Sequence, residues 1–236
     1  MNDTAWPAKG DRLVVAVDGP AGAGKGAVCR SAAQRFGLAY LETGALYRAV
    51  GLIGLRNGLT DADALARVAG TMPFGFRALE DGRYGAYLGE EEVTLALRAE
   101  EVGQTASKVA AMPGVRAALL SFQRRYGGGR NVILDGRDVG SVVWPDADLK
   151  IFLTASLEER ARRRAVELQA RGEAVNLTEL LARMAERDAR DAGRAYAPMA
   201  AAPGAILVDT SPLTLEESCQ AVWRLIAPLL EGHARI

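Results

Sequence analysis

The stretch Gly19-Pro20-Ala21-Gly22-Ala23-Gly24-Lys25-Gly26 decides the fold, because it lies between the apolar run 13–17 and a segment compatible with a helix. Its glycines let backbone N–H groups turn toward a polyphosphate, and the start of the next helix adds free N–H groups and the positive end of a dipole. Lys25 adds a mobile cation. The spacing favours a phosphate-binding loop over a plain connecting turn and predicts that the chain binds a nucleotide.

The residue after the lysine departs from the usual pattern of such loops. Ser or Thr commonly stands there and holds Mg²⁺ through its hydroxyl group, whereas this chain has Gly26. A magnesium ligand from this position is therefore missing.

Composition limits the classes of function. The 236 residues suit one elaborated domain or two small ones, and 29 basic against 29 acidic residues give a formal charge of zero, which argues against general binding to nucleic acid or membranes. Cys29 and Cys219 lack metal-ligand spacing, and no apolar run approaches the roughly 18 residues of a membrane span. We expect a cytoplasmic protein whose chemistry does not use its sole histidine, His233.

Apolar runs and helix signals alternate along most of the chain. The predicted strands are 13–18, 38–41, 132–135, 149–154 and 205–209, and the predicted helices are 25–36, 45–56, 156–171 and 176–191, with a last helix capped at 214–217. This alternation predicts an α/β fold with a parallel sheet. Ligands of such sheets bind beyond the carboxyl ends of the strands, so the turn 42–44 and the loop 136–140 should open on the side of the phosphate loop.

The middle of the chain has a different character. A helix at 62–70 precedes strand-like runs at 74–79, 84–88 and 93–97, which turns at 80–83 and 89–90 separate, and this pattern predicts a small antiparallel insertion. Helices at 99–111 and 115–126 follow, with an interruption at Pro113-Gly114.

Arginines recur at helical spacing near the end of the chain. Arg183, Arg187, Arg190 or Asp191, and Arg194 would lie along one helical face. Taken alone, they favour a solvated face with an Arg187–Asp191 ion pair worth roughly a few tenths of a kcal/mol. However, Arg48, Arg137 and Asp138 follow predicted crevice turns, and arginines near a phosphate loop suggest a second phosphorylated substrate.

Phosphoryl transfer between two bound phosphates needs positioning and charge neutralisation, since an acceptor phosphate oxygen is already anionic. Transfer to a sugar hydroxyl would more often require a carboxylate base, for which Asp135 or Asp138 could serve. The absence of a usable histidine favours the phosphate acceptor and leaves the hydroxyl acceptor open.

Several motifs occur together in this order. They are Gly-Pro-Ala-Gly-Ala-Gly-Lys-Gly at 19–26, Glu-Thr-Gly-Ala-Leu-Tyr-Arg at 42–48, Ala-Ser-Lys-Val-Ala at 106–110, Pro-Gly-Val-Arg at 113–116, Asp-Gly-Arg-Asp-Val-Gly at 135–140, Glu-Arg-Asp-Ala-Arg-Asp at 186–191 and Val-Asp-Thr-Ser at 208–211. On these motifs the chain, from about residue 13 to 230, resembles the bacterial cytidylate kinase family of P-loop nucleoside monophosphate kinases.

The resemblance implies ATP-dependent phosphorylation of CMP and dCMP with Mg²⁺, which phosphates and water would hold, with Asp135 nearby. It implies a monomer and a nucleoside monophosphate kinase fold in a single domain. That domain would comprise a core at about 11–56 and 130–236, an inserted monophosphate-binding region at about 57–129 and a short helical lid within about 156–195.

The resemblance also implies site residues by position. ATP would be bound by Gly19, Pro20, Ala21, Gly22, Ala23, Gly24, Lys25, Gly26, Ala27, Arg160 and Arg163, with Arg164 a further lid candidate. CMP would be bound by Thr43, Tyr47, Arg48, Ser107, Arg116, Asp135, Arg137, Asp138, Arg187, Asp191 and Arg194. The catalytic residues would be Lys25, Arg137, Arg187 and Arg194.

Within the CMP set, the resemblance assigns Ser107, Arg116 and Asp138 to the base. Cytosine offers O2 and N3 as acceptors to an arginine and its N4 amino group as a donor to a carboxylate. Uracil inverts the pattern at N3 and N4 and would leave Asp138 unpaired, at a cost of roughly 1–3 kcal/mol.

One position departs from the family in a way that bears on affinity, because Ala27 replaces the usual Thr or Ser hydroxyl. We expect weaker binding of ATP, since the backbone loop and Lys25 are retained. The alternatives are another P-loop kinase, acting on UMP, AMP or a small hydroxylated metabolite, and a nucleotide-binding switch, although the guanine-reading Asn-Lys-x-Asp motif is absent.

Overall fold

The structure, a computed structural model, describes residues 12–78 and 84–233. The strands are β1 Val14–Asp18, β2 Ala39–Glu42, β3 Phe74–Ala78, β4 Tyr84–Leu88, β5 Glu91–Glu92, β6 Val132–Gly136, β7 Leu149–Thr154 and β8 Ile206–Asp209. The helices are α1 Lys25–Phe36, α2 Thr43–Asn57, α3 Ala62–Thr71, α4 Glu100–Val109, α5 Pro113–Gly127, α6 Leu157–Gln169, α7 Leu177–Ala192 and α8 Leu215–His233.

The chain divides into two compact units. Of the described residues, unit 1 contains 12–42 and 124–233, and unit 2 contains Thr43–Gln123 without the gap at 79–83. The sequence predicted a single domain with a core at about 11–56 and 130–236 and an inserted region at about 57–129. The second compact unit begins at Thr43, because α2 packs against α3 and α4.

The described strands of unit 1 form a five-stranded parallel sheet in the order β2-β6-β1-β7-β8. Every residue of β1 is buried, as expected for a central parallel strand covered on both faces. The register pairs Glu42 with Asp135 and Asp18 with Gly136, so these strands end at one edge of the sheet. The predicted parallel α/β sheet is confirmed.

Helix ends in unit 1 follow the capping signals of the sequence. Ser156 caps α6 by accepting the N–H of Glu159, and Asn176 caps α7. At the start of α8, Thr214 and Glu217 each accept the other's backbone N–H, which is a complete capping box. The predicted positions of these helix starts are therefore confirmed.

Unit 2 combines helices with a small antiparallel sheet in the order β3-β4-β5. Its apolar core draws on α2, α3, α4 and α5 and includes Leu46, Val50, Val102, Val115 and Leu119. The predicted antiparallel insertion is confirmed, and its predicted turn at 80–83 lies outside the described residues.

The predicted strand at 93–97 is wrong. Val93 and Leu97 are buried, whereas Leu95 between them is 81% exposed, and the N–H of Leu97 donates to the carbonyl of Val93. The alternating apolar residues therefore follow a helical spacing of four, in a turn that ends as the 3-10 helix Ala96–Arg98. The neighbouring strand is β5, at Glu91–Glu92.

Two predicted boundaries also change. The turn at 42–44 is absent, because α2 begins at Thr43 directly after β2. The predicted break between two helices is present, since α4 ends at Val109, but α5 begins at Pro113 instead of 115. At this first helical position the missing N–H of proline needs no helical partner. Among the described helices, none has both the length and the apolar character needed to cross a membrane.

Candidate active site

The loop that follows β1 has the backbone conformation of a phosphate-binding loop. Gly19, Gly22 and Gly24 have φ values of +144°, +79° and +92°, which side chains other than glycine rarely tolerate. A Cβ atom on Gly19 would lie 1.9 Å from the carbonyl oxygen of Leu153. Gly24 directly precedes α1, so the free N–H groups of that helix open at the end of the loop.

Lys25 is buried at the start of α1. Its Nζ donates hydrogen bonds of 2.8 Å to the carbonyl oxygens of Gly19 and Pro20. Burial, and then the positive charge of Arg137, lower the pKa of Lys25 to about 7, while Asp135 opposes this shift. A polyphosphate nearby would favour the protonated form, because opposite charge raises the pKa of an amine.

Asp135 lies at the end of β6, behind the phosphate loop. Burial, and then the neighbouring Glu42, raise its pKa to about 7, whereas Lys25 and a hydrogen bond from Tyr40 lower it. The Tyr40 hydroxyl donates to Oδ2 of Asp135 at 2.9 Å. Arg30 lies 3.8 Å from Glu42, so the two carboxylates at this edge have a cation beside them.

Asp18 is a buried carboxylate that the sequence analysis did not single out. It accepts the backbone N–H groups of Val139 and Gly140 at 2.7 and 2.8 Å. Burial raises the pKa of Asp18 to about 6. Asp18 thereby holds the loop that carries Arg137 and Asp138 at the end of β1. The sequence signal that could have identified Asp18 is a carboxylate at the end of an apolar strand.

Arg137 and Arg194 form a cluster around the buried carboxylate of Asp191 in unit 1. Asp191 is 1% exposed and accepts from Nε of Arg137 at 3.0 Å and from Nη2 of Arg194. The interpretation of a solvated face is therefore wrong for Asp191. Arg194 follows the end of α7 at Ala192 and does not continue the helical face, whereas Arg183 and Arg187 lie on the helix.

Arg160 and Arg163 of α6 contact backbone around the phosphate loop. Arg160 donates to the carbonyl oxygen of Ala21 at 3.1 Å, and Arg163 donates to the carbonyl oxygen of Thr210 at 2.6 Å. The Thr210 hydroxyl lies within hydrogen-bond distance of two carbonyl oxygens, that of Ala23 at 3.2 Å and that of Thr154 at 3.0 Å. Thr210 was missed as a separate site residue, because only the fold brings it to the loop.

In unit 2, the predicted CMP-binding residues lie on three helices. Thr43, Tyr47 and Arg48 are on α2, Ser107 is on α4 and Arg116 is on α5. The Arg116 guanidinium lies 5.8 Å from the centroid of the Tyr47 ring, and both side chains are buried. Arg48 donates to the carbonyl oxygen of Leu97 at 2.7 Å. The structure thus brings Tyr47 and Arg116 together.

Gly26, which stands where such loops usually have a hydroxyl residue, lies close to two charged side chains. A Cβ atom on Gly26 would lie 3.2 Å from Nη1 of Arg30 and 3.6 Å from Oδ2 of Asp135. A guanidinium and a carboxylate therefore occupy the surroundings in which a serine or threonine hydroxyl would stand. Ala27, next to it, is half-buried.

A metal ion implied by the resemblance can be tested against these side chains. Within residues 12–78 and 84–233, no three His, Cys, Asp or Glu side chains come together as a metal-binding group. Asp135 and Glu42 supply the hard oxygen atoms that Mg²⁺ prefers, and Mg²⁺ commonly keeps several waters and phosphate ligands. These residues fit Mg²⁺ held through phosphates and water, with carboxylates nearby.

The central strand of the parallel sheet leads through a glycine-rich loop and a buried lysine into a helix. This arrangement defines a P-loop nucleotide-binding protein. The sequence model of the family described as Cytidylate kinase matches residues 15–228. The chain therefore belongs to the cytidylate kinase family.

Individual relatives agree with this assignment. The chain is 58% identical to the cytidylate kinase of Magnetococcus marinus, over 94% of this chain and 98% of that protein. It is 45% identical to the cytidylate kinase of Marinomonas sp., over 89% and 93% of the two chains. Among solved structures, an uncharacterized protein from Eubacterium ventriosum aligns with a TM-score of 0.51 at 11% identity, over 92% of this chain and 99% of that one, which supports the fold alone.

Proposed function

We propose that the chain transfers the γ-phosphoryl group of ATP to CMP and dCMP, forming CDP and dCDP. The observation that carries this proposal is the family match over residues 15–228, in a chain that has the glycine-rich loop and the buried Lys25. The residue assignments that follow are part of the proposal.

For ATP, we assign the phosphates to the loop 19–26, to Lys25 and to the start of α1. The loop has the positive φ values, and α1 the free N–H groups, that such binding requires. Arg160 donates to Ala21 of this loop, and Arg163 donates to Thr210, whose hydroxyl is near Ala23 of the loop. Both arginines are on the helix that begins the proposed lid, 156–195. Mg²⁺, held mainly by phosphates and water, would neutralise charge on the transferred group.

For the CMP phosphate, we assign Thr43 and Arg48 in unit 2 and Arg137 and Arg194 in unit 1. The shared contacts of the last two with buried Asp191 hold their guanidinium groups in fixed positions. Arg187 and Asp191 are assigned to the sugar or to the bridging phosphates, and Asp135 to the surroundings of the transferred group.

For cytosine, we assign Ser107 and Arg116, with Tyr47 beside them, in unit 2 and Asp138 in unit 1. Ser107, Arg116 and Asp138 are all buried. A bound base would exclude water from their polar groups, so a base whose donors and acceptors did not match them would be disfavoured. A carboxylate that accepts from the N4 amino group and an arginine that donates to O2 or N3 match cytosine and reject uracil.

The proposed mechanism needs no protein base, because the acceptor oxygen of CMP is already anionic. Lys25, Arg137, Arg187 and Arg194 would hold the reacting phosphates in line and neutralise the charge on the transferred group. Lys25 must be protonated for this role, and the polyphosphate itself raises its pKa from about 7.

A coupled assay with CMP, dCMP, UMP and AMP as acceptors tests the function. We expect turnover with CMP and dCMP far above that with UMP and AMP. A preference for AMP would contradict the assignment of the base, and slow hydrolysis of ATP without transfer to CMP would favour a nucleotide-binding switch instead.

The Asp138→Asn variant tests the base assignment on its own. We expect it to lose CMP turnover by about 10–100-fold, the cost of one charged hydrogen bond, while ATP affinity stays unchanged. Equal losses for both nucleotides would place Asp138 on the ATP side.

We further propose that the protein acts as a monomer in the cytoplasm. Both cysteines are free and buried, which agrees with a reducing compartment. Light scattering across a concentration series should give the monomer mass of 25.0 kDa throughout.

A further inference from the structure

Arg160 occupies an unusual position for a residue expected to bind ATP directly. Its side chain is buried and donates from Nε to the carbonyl oxygen of Ala155 at 2.9 Å and from Nη1 to that of Ala21 at 3.1 Å. The same Nη1 lies 2.6 Å from Oδ2 of Asp188 on α7. Arg160 therefore joins α6, α7 and the tip of the phosphate loop.

The loop tip packs closely against the same two helices. A Cβ atom on Gly22 would lie 3.2 Å from Cβ of Arg160 and 3.2 Å from Cε of Met184. Met184 is on α7, and α6 and α7 share a small apolar core that includes Ala161, Leu168 and Leu180. The pair of helices and the loop tip therefore form a continuous packed group.

The hydrogen bond to Ala21 has a consequence for its neighbour. In a trans peptide the carbonyl of residue 21 and the N–H of residue 22 point in opposite directions. When Arg160 holds the carbonyl oxygen of Ala21, the N–H of Gly22 is directed away from Arg160. That orientation is the one in which a loop N–H can donate to a phosphate on the other side of the loop.

Asp188 pairs with the same nitrogen atom of Arg160 that donates to Ala21. Its carboxylate is largely buried beside the guanidinium and holds Nη1 within reach of Ala21. Removing one partner of a buried charge pair leaves the other uncompensated, so the guanidinium would turn toward another acceptor or toward water.

We propose that Arg160 and Asp188 are positioning residues, which hold the Ala21–Gly22 peptide group so that its N–H is directed for ATP binding. The proposal rests on the proposed function only in taking the loop 19–26 to bind ATP. It replaces direct contact between Arg160 and the phosphates, which the family resemblance implied, and it gives α7 a part in ATP binding through Asp188.

Calorimetric titration of Mg·ATP into the Arg160→Gln and Asp188→Asn variants and the double variant tests the proposal. Each single variant should weaken ATP binding by about tenfold, and the double variant should be no weaker than either single one, because both changes release the same peptide group. The control is Arg162→Gln, which removes an exposed arginine of α6 that pairs with Glu159, and it should bind ATP like the wild type.

The direct-contact model gives opposite results. If Arg160 bound a phosphate, Asp188→Asn would remove a competing anion, and ATP affinity would stay unchanged or increase. That outcome, or additive losses in the double variant, would overturn the proposal.

Arg160→Lys provides an independent test should Asp188→Asn fail to fold. Lysine binds a phosphate well as a point charge. It lacks the planar guanidinium group with which Arg160 contacts Asp188 and two carbonyl oxygens at once. We expect Arg160→Lys to bind ATP as weakly as Arg160→Gln, and recovery of wild-type affinity would contradict the proposal.

Calorimetry with ATP alone separates this proposal from the proposed function. A wild-type protein that binds ATP but phosphorylates an acceptor other than CMP would overturn the proposed function. The role of Arg160 would then still be decided by the same titrations. A wild-type protein that does not bind Mg·ATP would overturn both.

Discussion

The phosphate loop of unit 1 and the CMP-binding residues proposed for unit 2 are built in different ways. The loop offers backbone groups, and distant side chains such as Arg160 and Thr210 contact its carbonyl oxygens. In unit 2, side chains such as Tyr47 and Arg116 project from helices that a continuous apolar core fixes in place.

The two regions should therefore tolerate different kinds of substitution. The loop depends on conformation, so changes that move the main chain should damage it whatever their chemistry. The unit 2 residues depend on the identity of individual side chains, so a substitution there should change the ligand bound while leaving the fold intact.

The largest effect should come from Gly19→Ala in the loop. The added methyl group would lie 1.9 Å from a backbone carbonyl oxygen, which cannot move without displacing β7. We expect a loss of at least about 4 kcal/mol of folding free energy, measured by urea denaturation, or no folded protein at all.

Its control is Gly70→Ala on α3 of unit 2, where the nearest other atom would be 4.0 Å away. This change should be neutral or stabilise the protein by up to about 1 kcal/mol. A folded Gly19→Ala variant with wild-type stability would break the comparison.

The next largest effect should come from Arg116→Lys in unit 2. Lysine keeps the charge but loses the planar fork of donors and the contact with Tyr47, so kcat/KM for CMP should fall by about 100-fold. ATP affinity and melting temperature should stay near the wild-type values. The exposed Arg98→Lys is the control, and a matching loss in that variant would rule out a specific role for Arg116.

A pH series on Asp135→Asn should show a smaller effect per pH unit, of about 1.4 kcal/mol at most. The pKa of Asp135 rises from 3.8 to about 7 on folding, so between these values the native state holds a proton that the unfolded state has released. This group's contribution therefore falls as pH rises from about 4 to about 7.

The Asp135→Asn variant lacks that contribution, so its stability relative to the wild type should improve as pH rises through this window. Urea denaturation at half-unit pH steps measures the difference. A curve for Asp135→Asn that runs parallel to the wild type would contradict the raised pKa of the buried Asp135 carboxyl group.

The smallest effect should come from Ala27→Thr, which adds a hydroxyl group at the start of α1. We expect the KM for ATP to fall a few-fold, as for one additional hydrogen bond, with the KM for CMP unchanged. An unchanged KM for ATP would show that the loop backbone and Lys25 already satisfy the phosphates.

The sequence predicted features that depend on local spacing. Each of these features lies within a few residues of the loop, strand or helix that it determines. They are the glycines before Lys25, the apolar run of β1 and the caps at Ser156 and Thr214, and all appear where expected. The parallel sheet followed from the alternation of such segments.

What sequence reasoning missed depends on contacts between distant residues. Asp18 accepts from residues more than a hundred positions away, and the Thr210 hydroxyl lies within hydrogen-bond distance of Ala23 across a similar separation. Asp188 lies within a motif that was recognised, but only the packing of α7 shows that it holds Arg160. The strand predicted at 93–97 was wrong for a related reason. Three alternating apolar residues fit both a strand and a helical turn, and only their burial in the fold distinguishes the two.

The hydrogen bonds of Asp18 to Val139 and Gly140 join two chain segments at one carboxylate. Asp18 is the residue before Gly19, and Val139 is the residue after Asp138, so one side chain anchors both the loop assigned to ATP and the residue assigned to the acceptor base. A displacement of either segment would have to move this shared carboxylate or break its hydrogen bonds. Occupancy by one nucleotide should therefore bias the affinity for the other, and the size of that thermodynamic coupling should depend on position 18.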